Sequence, residues 1–191
     1  KAAKAALSLL HPTGNPYLDL CLSRGGFPSR KKQYCTEYLK MLPLTEYCDD
    51  VLQTGFFVES WQGVRADESF NRRDLPERED QGGGYSVYRP ILRWTALQVF
   101  AHLKACGIKP NPLYKLGMRR VGCMPCINAS DGELLEISKR FPEHIKRIQA
   151  WEKLVTSVCR PTAVPTFFHA SKLGKGSLAL PVLDVVKVLR A

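Results

Sequence analysis

The sequence contains no apolar run long enough to cross a membrane, no signal-peptide pattern, no internal repeat and no low-complexity segment. It therefore does not indicate a membrane, secreted or solenoid protein. Acidic residues are also scarce, since 18 Asp and Glu stand against 28 Lys and Arg, which gives a formal net charge of +10. This excess favours an anionic partner such as a nucleotide, a sulfate or phosphate group, or nucleic acid. A generally solvated basic surface is the alternative interpretation.

The number of cysteines is odd, so they cannot all pair in disulfides within the chain. The chain has seven cysteines and no secretion signal, so the sequence favours reduced thiols in a cytoplasmic protein over a disulfide framework. Its 191 residues suffice for one domain with a core, or for one domain with a small appendage. Because the chain begins at Lys1 and not at a methionine, we expect it to be a piece of a longer protein or to lack residues before Lys1.

A Cys-x-x-Cys motif is the strongest chemical signal. Arg119 and Arg120 lead into Cys123 and Cys126, and a third thiol, Cys35, lies upstream in another basic setting. Two thiols three residues apart can point at one centre, and nearby positive charge favours the thiolate form. The motif alone serves zinc, iron-sulfur clusters and dithiol redox chemistry. Zinc is less favoured, because the second half of a four-ligand finger is absent, and unmetallated thiols stay open.

Two basic stretches are candidate anion sites. Ser29 predicts the N-cap of a helix that runs to about Met41, with residues 30–32 (Arg-Lys-Lys) in its first turn. Cations in a first turn oppose the helix dipole, which suggests an anion bound nearby. Side chains that simply reach into solvent are the alternative interpretation.

A predicted strand over residues 55–61 enters a core and is followed by a Gly and a charged loop, where open α/β sheets bind ligands. Arg65 and Arg72 in this loop can both fork onto an oxyanion group, and Glu68 can hold one of them in place. A surface salt-bridge loop is the competing interpretation.

The remaining pattern indicates an α/β chain with a helical C-terminal part. Residues 74–84 are polar and end in three glycines, which predicts a mobile loop. Thr95 predicts the cap of a helix over residues 96–105, whose Leu97, Val99, Phe100 and Leu103 are expected to form a core face. Asp131 or Ser130 predicts the start of a helix over residues 132–140, and Pro142 predicts the start of another over about 143–158. A last short helix is predicted over residues 180–189.

Four stretches together carry a family resemblance. They are Arg-Lys-Lys-Gln-Tyr-Cys-Thr at 30–36 with Leu39-Lys40 and Pro43-Leu44; Gly-Val-Arg-Ala-Asp-Glu-Ser at 63–69 with Arg72; Tyr-Arg-Pro-Ile at 88–91 with Trp94; and Asn-Pro-Leu-Tyr at 111–114 with Gly117 and Gly-Cys-Met-Pro-Cys at 122–126. In this order they resemble the phosphoadenosine phosphosulfate (PAPS) reductase family, within the adenine nucleotide α-hydrolase-like (PP-loop) superfamily. The resemblance covers roughly residues 15–128.

The resemblance implies a Rossmann-like sheet with helices on both faces over residues 1–128, with a helical C-terminal extension over 129–191. It favours an enzyme, an oxidoreductase that reduces PAPS or adenosine phosphosulfate (APS) to sulfite, with a thiol reductant such as a thioredoxin as partner. Related proteins that sulfurate nucleic acid make an ATP-dependent sulfurtransferase acting on DNA or tRNA the first alternative. A non-catalytic remnant that binds a nucleotide or nucleic acid is the second.

The resemblance also implies a [4Fe-4S] cluster. In iron-sulfur members of the family a Cys-Cys pair and a distant Cys-x-x-Cys hold the cluster, and here the pair is Tyr34-Cys35. The predicted ligands are therefore Cys35, Cys123 and Cys126, with Cys159 as the fourth unless the cluster keeps only three.

For the substrate, the sequence offers side chains suited to the phosphate and sulfate oxygens, namely Arg30, Lys40, Arg65 and Arg72. Two departures from the family stand out. The sequence contains no Ser-Gly-Gly-x-Asp-Ser phosphate loop, and no cysteine follows Cys159, whereas family reductases carry a nucleophilic cysteine near the C-terminus. The sequence therefore singles out no catalytic nucleophile.

Overall fold

The computed structural model describes residues 12–161, 164–168 and 181–190. Helices and strands alternate over the middle of the chain and helices dominate its end, which confirms the predicted mixed α/β class. The elements are α1 Pro16–Arg24, α2 Tyr34–Thr36, α3 Leu42–Gln53, β1 Val58–Trp61, β2 Arg78–Gly82, β3 Tyr85–Tyr88, α4 Ala96–Ala105, α5 Asp131–Arg140, α6 Pro142–Val158 and α7 Val182–Arg190. No helix in the described ranges is long and apolar enough to cross a membrane.

The chain divides into two compact units. Residues 42–112 form the central unit, and the described parts of residues 1–41 and 113–191 form the flanking unit. The flanking unit is therefore discontinuous in sequence. The predicted boundary at residue 128 separates the part of the sequence that resembles the family from the C-terminal extension. It does not refer to these spatial units, and it stays a prediction.

The central unit is built on a three-stranded sheet with the order β1-β3-β2. β1 pairs with β3 in parallel, from Val58 opposite Tyr85, and β2 pairs with β3 antiparallel, from Arg78 opposite Tyr88. The parallel pair is typical of an α/β fold, in which the connection between such strands must cross over. A larger Rossmann-like sheet stays a prediction.

Strand β2 occupies the region predicted to be a mobile loop. Its sequence, Arg-Glu-Asp-Gln-Gly, has no apolar alternation, so the pattern of a half-buried strand is absent. An edge strand needs little apolar surface, and Glu79 joins β2 to the buried Arg89 through an ion pair of 2.9 Å. Hydrogen bonds from Arg89 hold the pKa of Glu79 below its ordinary value. The predicted glycine turn is present, because Gly82 to Gly84 all have positive φ.

Helix α4 begins as predicted but does not bury the predicted face. Thr95 and Gln98 form a capping box at its start. However, no residue of the helix is buried, and Leu97 is 81% exposed. On β1, Trp61 is 67% exposed, and Phe57 just before the strand is 88% exposed. The expected core face of residues 97–103 and the expected entry of residues 55–61 into a core were therefore wrong for the described residues.

The core of the flanking unit is formed by α1, α5, α6 and α7. Ser130 and Glu133 form the capping box of α5, and Pro142 occupies the first turn of α6, where its missing N–H costs nothing. The fully or nearly fully buried apolar side chains that meet here are Leu18, Leu134, Ile137, Ile145, Ile148, Val155, Phe167, Phe168, Val182 and Val185.

The helix predicted to begin at Ser29 begins instead at Tyr34. Ser29 closes a turn with Lys32: the Lys32 N–H approaches both the Ser29 hydroxyl, at 3.1 Å, and its carbonyl, at 3.2 Å. The Ser29 hydroxyl therefore stabilises a turn and does not cap a helix, and both roles are common for Ser side chains. Residues 30–32 precede the helix, so the predicted conflict between these cations and a helix dipole does not arise.

A buried carboxylate joins the C-terminal segments to α6. Glu152 is 7% exposed and accepts hydrogen bonds from the backbone N–H of Phe167 at 3.0 Å and of Val182 at 3.0 Å. Val182 begins α7, so the carboxylate also serves the unpaired N–H groups and the positive end of that helix. Burial raises the pKa of Glu152, although both backbone N–H groups oppose the rise.

We predict that Glu152→Gln lowers the free energy of unfolding by about 1–3 kcal/mol, because one buried acceptor is replaced by a donor. The folded-state pKa of Glu152 lies above its ordinary value of 4.5. The folded state therefore binds the proton more tightly, and the stability of wild type relative to the variant falls as pH rises from about 4.5 through the raised pKa. Urea unfolding at a series of pH values measures this difference.

The control is Glu143→Gln on the same helix, where the side chain is 66% exposed and a change within about 0.5 kcal/mol is expected. A wild-type advantage that grows with pH above 4.5 would show that the N–H donors outweigh the burial.

Candidate functional site

One cavity of about 330 Å³ in the flanking unit collects three thiols and three cations. No aspartate or glutamate is among its lining residues, so positive charge is unopposed there. The thiols are Cys35, Cys123 and Cys126, the cations are Lys40, Arg120 and Arg147, and the other walls are Asn15, Tyr17, Gln33, Thr36, Leu39, Met124, Pro125, Ile127, Asn128, Ile148, Trp151 and Phe167.

The Cys-x-x-Cys loop forms one wall. The peptide between Met124 and Pro125 is cis. The sulfur of Cys126 accepts from the backbone N–H of Asn128 at 3.5 Å. Cys123 is exposed, and the ammonium of Lys40 lies 3.8 Å from its sulfur. A charge-bearing donor thus faces the outer thiol of the motif.

Helix α2 contributes Cys35 and Thr36 to another part of the cavity wall. Burial raises the pKa of the Cys35 thiol; the hydroxyl of Thr36 and the ammonium of Lys40 oppose the rise, whereas the neighbouring Cys126 adds to it. Thr36, Lys40 and Cys126 affect the pKa of Cys35 because all four residues line the same cavity. Lys40 therefore serves the thiols of both walls.

Tyr34 fixes α2 to the core next to Cys35. Its hydroxyl donates to the carbonyl of Gly26 and lies 3.7 Å from the sulfur of Cys21. Cys21 is fully buried, and burial raises its pKa to about 11. Cys21 is thus a protonated core residue, and the Tyr34 hydroxyl is a clamp between α2 and the end of α1.

The fourth predicted ligand does not join the other three. Cys159 follows the end of α6, and its thiol contacts the carbonyls of Thr156 and Arg160 at 3.2 and 3.4 Å. It lies eight residues beyond the cavity residue Trp151, or about 12 Å along a helix axis. Its assignment as a ligand stays a prediction.

The thiols of the cavity suit one kind of metal centre and not another. Within the described ranges no three His, Cys, Asp or Glu side chains lie close enough to hold a metal ion. A zinc ion needs its sulfurs at about 2.3 Å, so a single ion does not fit. A cluster of several irons and sulfides is larger and holds its thiolates further apart. Cys35, Cys123 and Cys126 on the walls of one cavity suit such a cluster, and Cys159 as its fourth ligand stays a prediction.

The predicted oxyanion-binding residues fall in different places. Lys40 lines the cavity, and Arg30 is exposed ahead of α2 and is not among the lining residues. In the central unit Arg65 contacts Glu68 at 3.3 Å, and Arg72 forms an ion pair with the same carboxylate. Glu68 thus holds both arginines in one cluster, and its role in binding substrate stays a prediction.

Two cavity residues were not singled out from the sequence, and a third, Arg120, was named only as a basic neighbour of the Cys-x-x-Cys motif and not as a binding residue. Arg147 and Trp151 carry no local signal, because α6 brings them to the cavity from more than twenty residues away in sequence. The guanidinium of Arg147 stacks over the Trp151 ring at 5.2 Å.

A family model described as phosphoadenosine phosphosulfate reductase domain matches residues 18–129. This range covers more than half of the chain and includes α2, the charged loop of the central unit and the Cys-x-x-Cys loop. The chain belongs to the PAPS reductase family.

Individual relatives support the same placement. An uncharacterized 37.8 kDa protein of Escherichia phage 186 is 49% identical over 177 residues, which are 87% of this chain and 51% of the relative. An adenosine 5′-phosphosulfate reductase of Burkholderia cepacia is 35% identical over 99 residues, 51% of this chain and 37% of the relative. That of Allochromatium vinosum is 35% identical over 68 residues, 35% of this chain and 27% of the relative. The chain thus spans about half or less of these relatives. No solved structure matches it.

We predict that Tyr34→Phe destabilises the flanking unit by about 1–3 kcal/mol, because the Gly26 carbonyl loses its donor. Alkylation of Cys35 by iodoacetamide, followed by peptide mass spectrometry, should be faster in the variant, since α2 detaches more often. Tyr38→Phe is the matched control, as that side chain is 38% exposed and keeps its stacking with Arg24. Equal rates of Cys35 alkylation in both variants would show that Tyr34 does not hold α2 in place at the site.

Proposed function

We propose that this chain carries the thiol and anion-binding centre of a sulfonucleotide reductase, which reduces APS or PAPS to sulfite with a thiol donor such as a thioredoxin. The observation that carries the proposal is the cavity in which Cys35, Cys123 and Cys126 meet three cations and no carboxylate. Family membership and the distant APS reductases among the relatives support the same chemistry.

The reaction needs a thiol donor and cations. A thiolate of the thiol donor attacks the sulfur of the sulfuryl group, an S–S bond forms, and the S–O bond to the nucleotide phosphate breaks. A second thiol of the donor then attacks the donor sulfur of that S–S bond, which forms the donor's disulfide and releases sulfite. The two electrons therefore come from the donor's thiol pair, and the three cavity thiols are not oxidised. Negative charge develops on the leaving phosphate, and Lys40 and Arg120 are suited to stabilise it.

We further propose a [4Fe-4S] cluster held by the three cavity thiols Cys35, Cys123 and Cys126. When bound, the cluster would supply a polarising charge beside the sulfuryl group, tuned by the surrounding cations. The support is that all three thiols line one cavity and that Cys126 is near enough to raise the pKa of Cys35. For the complete fold we propose the Rossmann-like sheet of the family. Within the central unit, Arg65 and Arg72 are proposed to bind oxyanion groups.

Sulfite release from APS and from PAPS, with dithiothreitol or thioredoxin as donor, tests the function. We expect Lys40→Met to lower kcat/KM about ten- to a hundredfold, the range expected for the loss of one charged contact. Lys104→Met, which removes an exposed lysine outside the cavity, should leave the rate unchanged. The assay is made on the full-length protein, and no sulfite from either nucleotide would refute the reductase.

Iron and sulfide analysis after anaerobic purification tests the cofactor separately. We expect a broad visible absorption band that is lost in Cys123→Ser and Cys35→Ser. It should be retained in Cys159→Ser and in the exposed control Cys106→Ser. Loss of iron in Cys159→Ser would restore the four-cysteine ligand set, and a colourless wild type would leave a cluster-free thiol centre.

The excess of basic residues favours a second candidate, an ATP-dependent sulfurtransferase acting on DNA or tRNA. Residues 30–32 are exposed cations close in sequence to α2, and Arg119 and Arg120 precede the Cys-x-x-Cys loop. Phosphate contacts of this kind make binding strongly salt-dependent. Absence of sulfite together with salt-sensitive tRNA or DNA binding would favour this function, whereas binding of a nucleotide or polymer without any turnover would favour a non-catalytic remnant.

A further inference from the structure

Arg147 reaches from α6 to the loop that carries the thiols. Its Nη2 donates to the carbonyl of Met124 at 3.2 Å and to Nδ1 of His144 at 2.6 Å, while its guanidinium stacks over Trp151. Met124 lies between Cys123 and Cys126, so this hydrogen bond acts on the backbone of the motif itself. We propose that Arg147 is the positioning residue of the Cys-x-x-Cys loop and that it couples anion binding in the cavity to the exposure of the half-buried Cys126.

The positioning role follows from what holds the guanidinium. Stacking on Trp151 and the contact with His144 fix its plane from two directions, and both partners lie on the same helix, three and four residues away. The Met124 carbonyl then receives a donor whose place is already determined. A lysine has no planar fork and cannot make the stacking and both hydrogen bonds in the same way.

The coupling role follows from the N–H donors of Arg147 that neither Met124 nor His144 uses. Of the five N–H groups of an arginine, those on Nη1 and Nε have no hydrogen-bond partner among the described residues, and the side chain lines the cavity. An oxyanion held by Lys40 and Arg120 can therefore accept from the free edge of Arg147. Because an anion fixed on one edge restrains the guanidinium, it also strengthens the hold of the other edge on the loop.

The proposal rests on the proposed function only for the anionic nature of the ligand. It requires no turnover, so it can be tested with inorganic sulfate. The variants are Arg147→Met, Arg147→Lys and the control Lys146→Met, which removes a positive charge from the neighbouring, exposed position of α6.

The measurement is the iodoacetamide alkylation rate of Cys123 and Cys126 in the reduced, iron-free full-length chain, with peptide mass spectrometry as readout. Exposed Cys106 in the central unit serves as the internal reference. Sodium sulfate is compared with sodium chloride at equal ionic strength, so that screening alone cancels.

In Arg147→Met we expect the half-buried Cys126 to react about tenfold faster relative to Cys106, the effect of losing one hydrogen bond to a charged group. Cys123 is already exposed, so its rate should change less. Sulfate should slow the reaction of Cys126 in wild type and Lys146→Met and should have no effect in Arg147→Met. Arg147→Lys should lie between, because it keeps the charge and loses the fork. A purely structural role would raise the rates but leave the sulfate effect intact.

Two outcomes overturn the proposal: a Cys126 rate in Arg147→Met equal to that of wild type, or a sulfate effect unchanged in that variant. If Arg147→Met does not fold, Arg147→Lys is the deciding variant. The coupling is then refuted if Arg147→Lys has the same alkylation rates and the same sulfate effect as Lys146→Met. Failure of the reductase assay leaves this result unaffected, since alkylation and sulfate protection do not depend on sulfite release.

Discussion

The buried carboxylate of Glu152 is the interaction on which the flanking unit depends. It satisfies two backbone N–H groups from segments that follow α6, and so brings Phe167 and the start of α7 against the same helix. Phe167 in turn stacks against Phe27 at 5.4 Å and lines the thiol cavity. An unpaired carboxylate at this depth would be costly, so the C-terminal segments and the helix must dock together.

Helix α6 is therefore both a core element and a wall of the site. Arg147 and Glu152 are five residues apart, which turns the helix by about 140°. One side chain can thus face the cavity while the other is buried. Tyr34 fixes α2 in a similar way, because its hydroxyl holds the turn that carries Cys35 against the end of α1. Two walls of the site are thus held by contacts outside the cavity, α6 by Glu152 and α2 by Tyr34.

The sequence predicted the parts of this arrangement that have local signals. Thr95, Ser130 and Pro142 begin helices as expected, and Cys35, Cys123, Cys126 and Lys40 do line one cavity. Strand β2 was missed because an edge strand can be wholly polar, and the Ser29 cap failed because the hydroxyl closes a turn instead. Arg147 and Glu152 could not be found, because their partners lie many residues away and only the folded chain brings them together. The exposed face of α4 was missed because an apolar helical stripe predicts burial without saying where the covering surface comes from.

The discontinuity of the flanking unit has a consequence for the order in which the chain is made. Cys35 leaves the ribosome 88 residues before Cys123. At the usual 5–20 residues per second this is a wait of roughly 4–18 seconds. During that interval the entire central unit emerges, while Cys35 and Lys40 have neither the loop nor α6 to pack against. Assembly of the thiol centre is thus a late event of synthesis, and Cys35 is open to oxidants before Cys123 has been made.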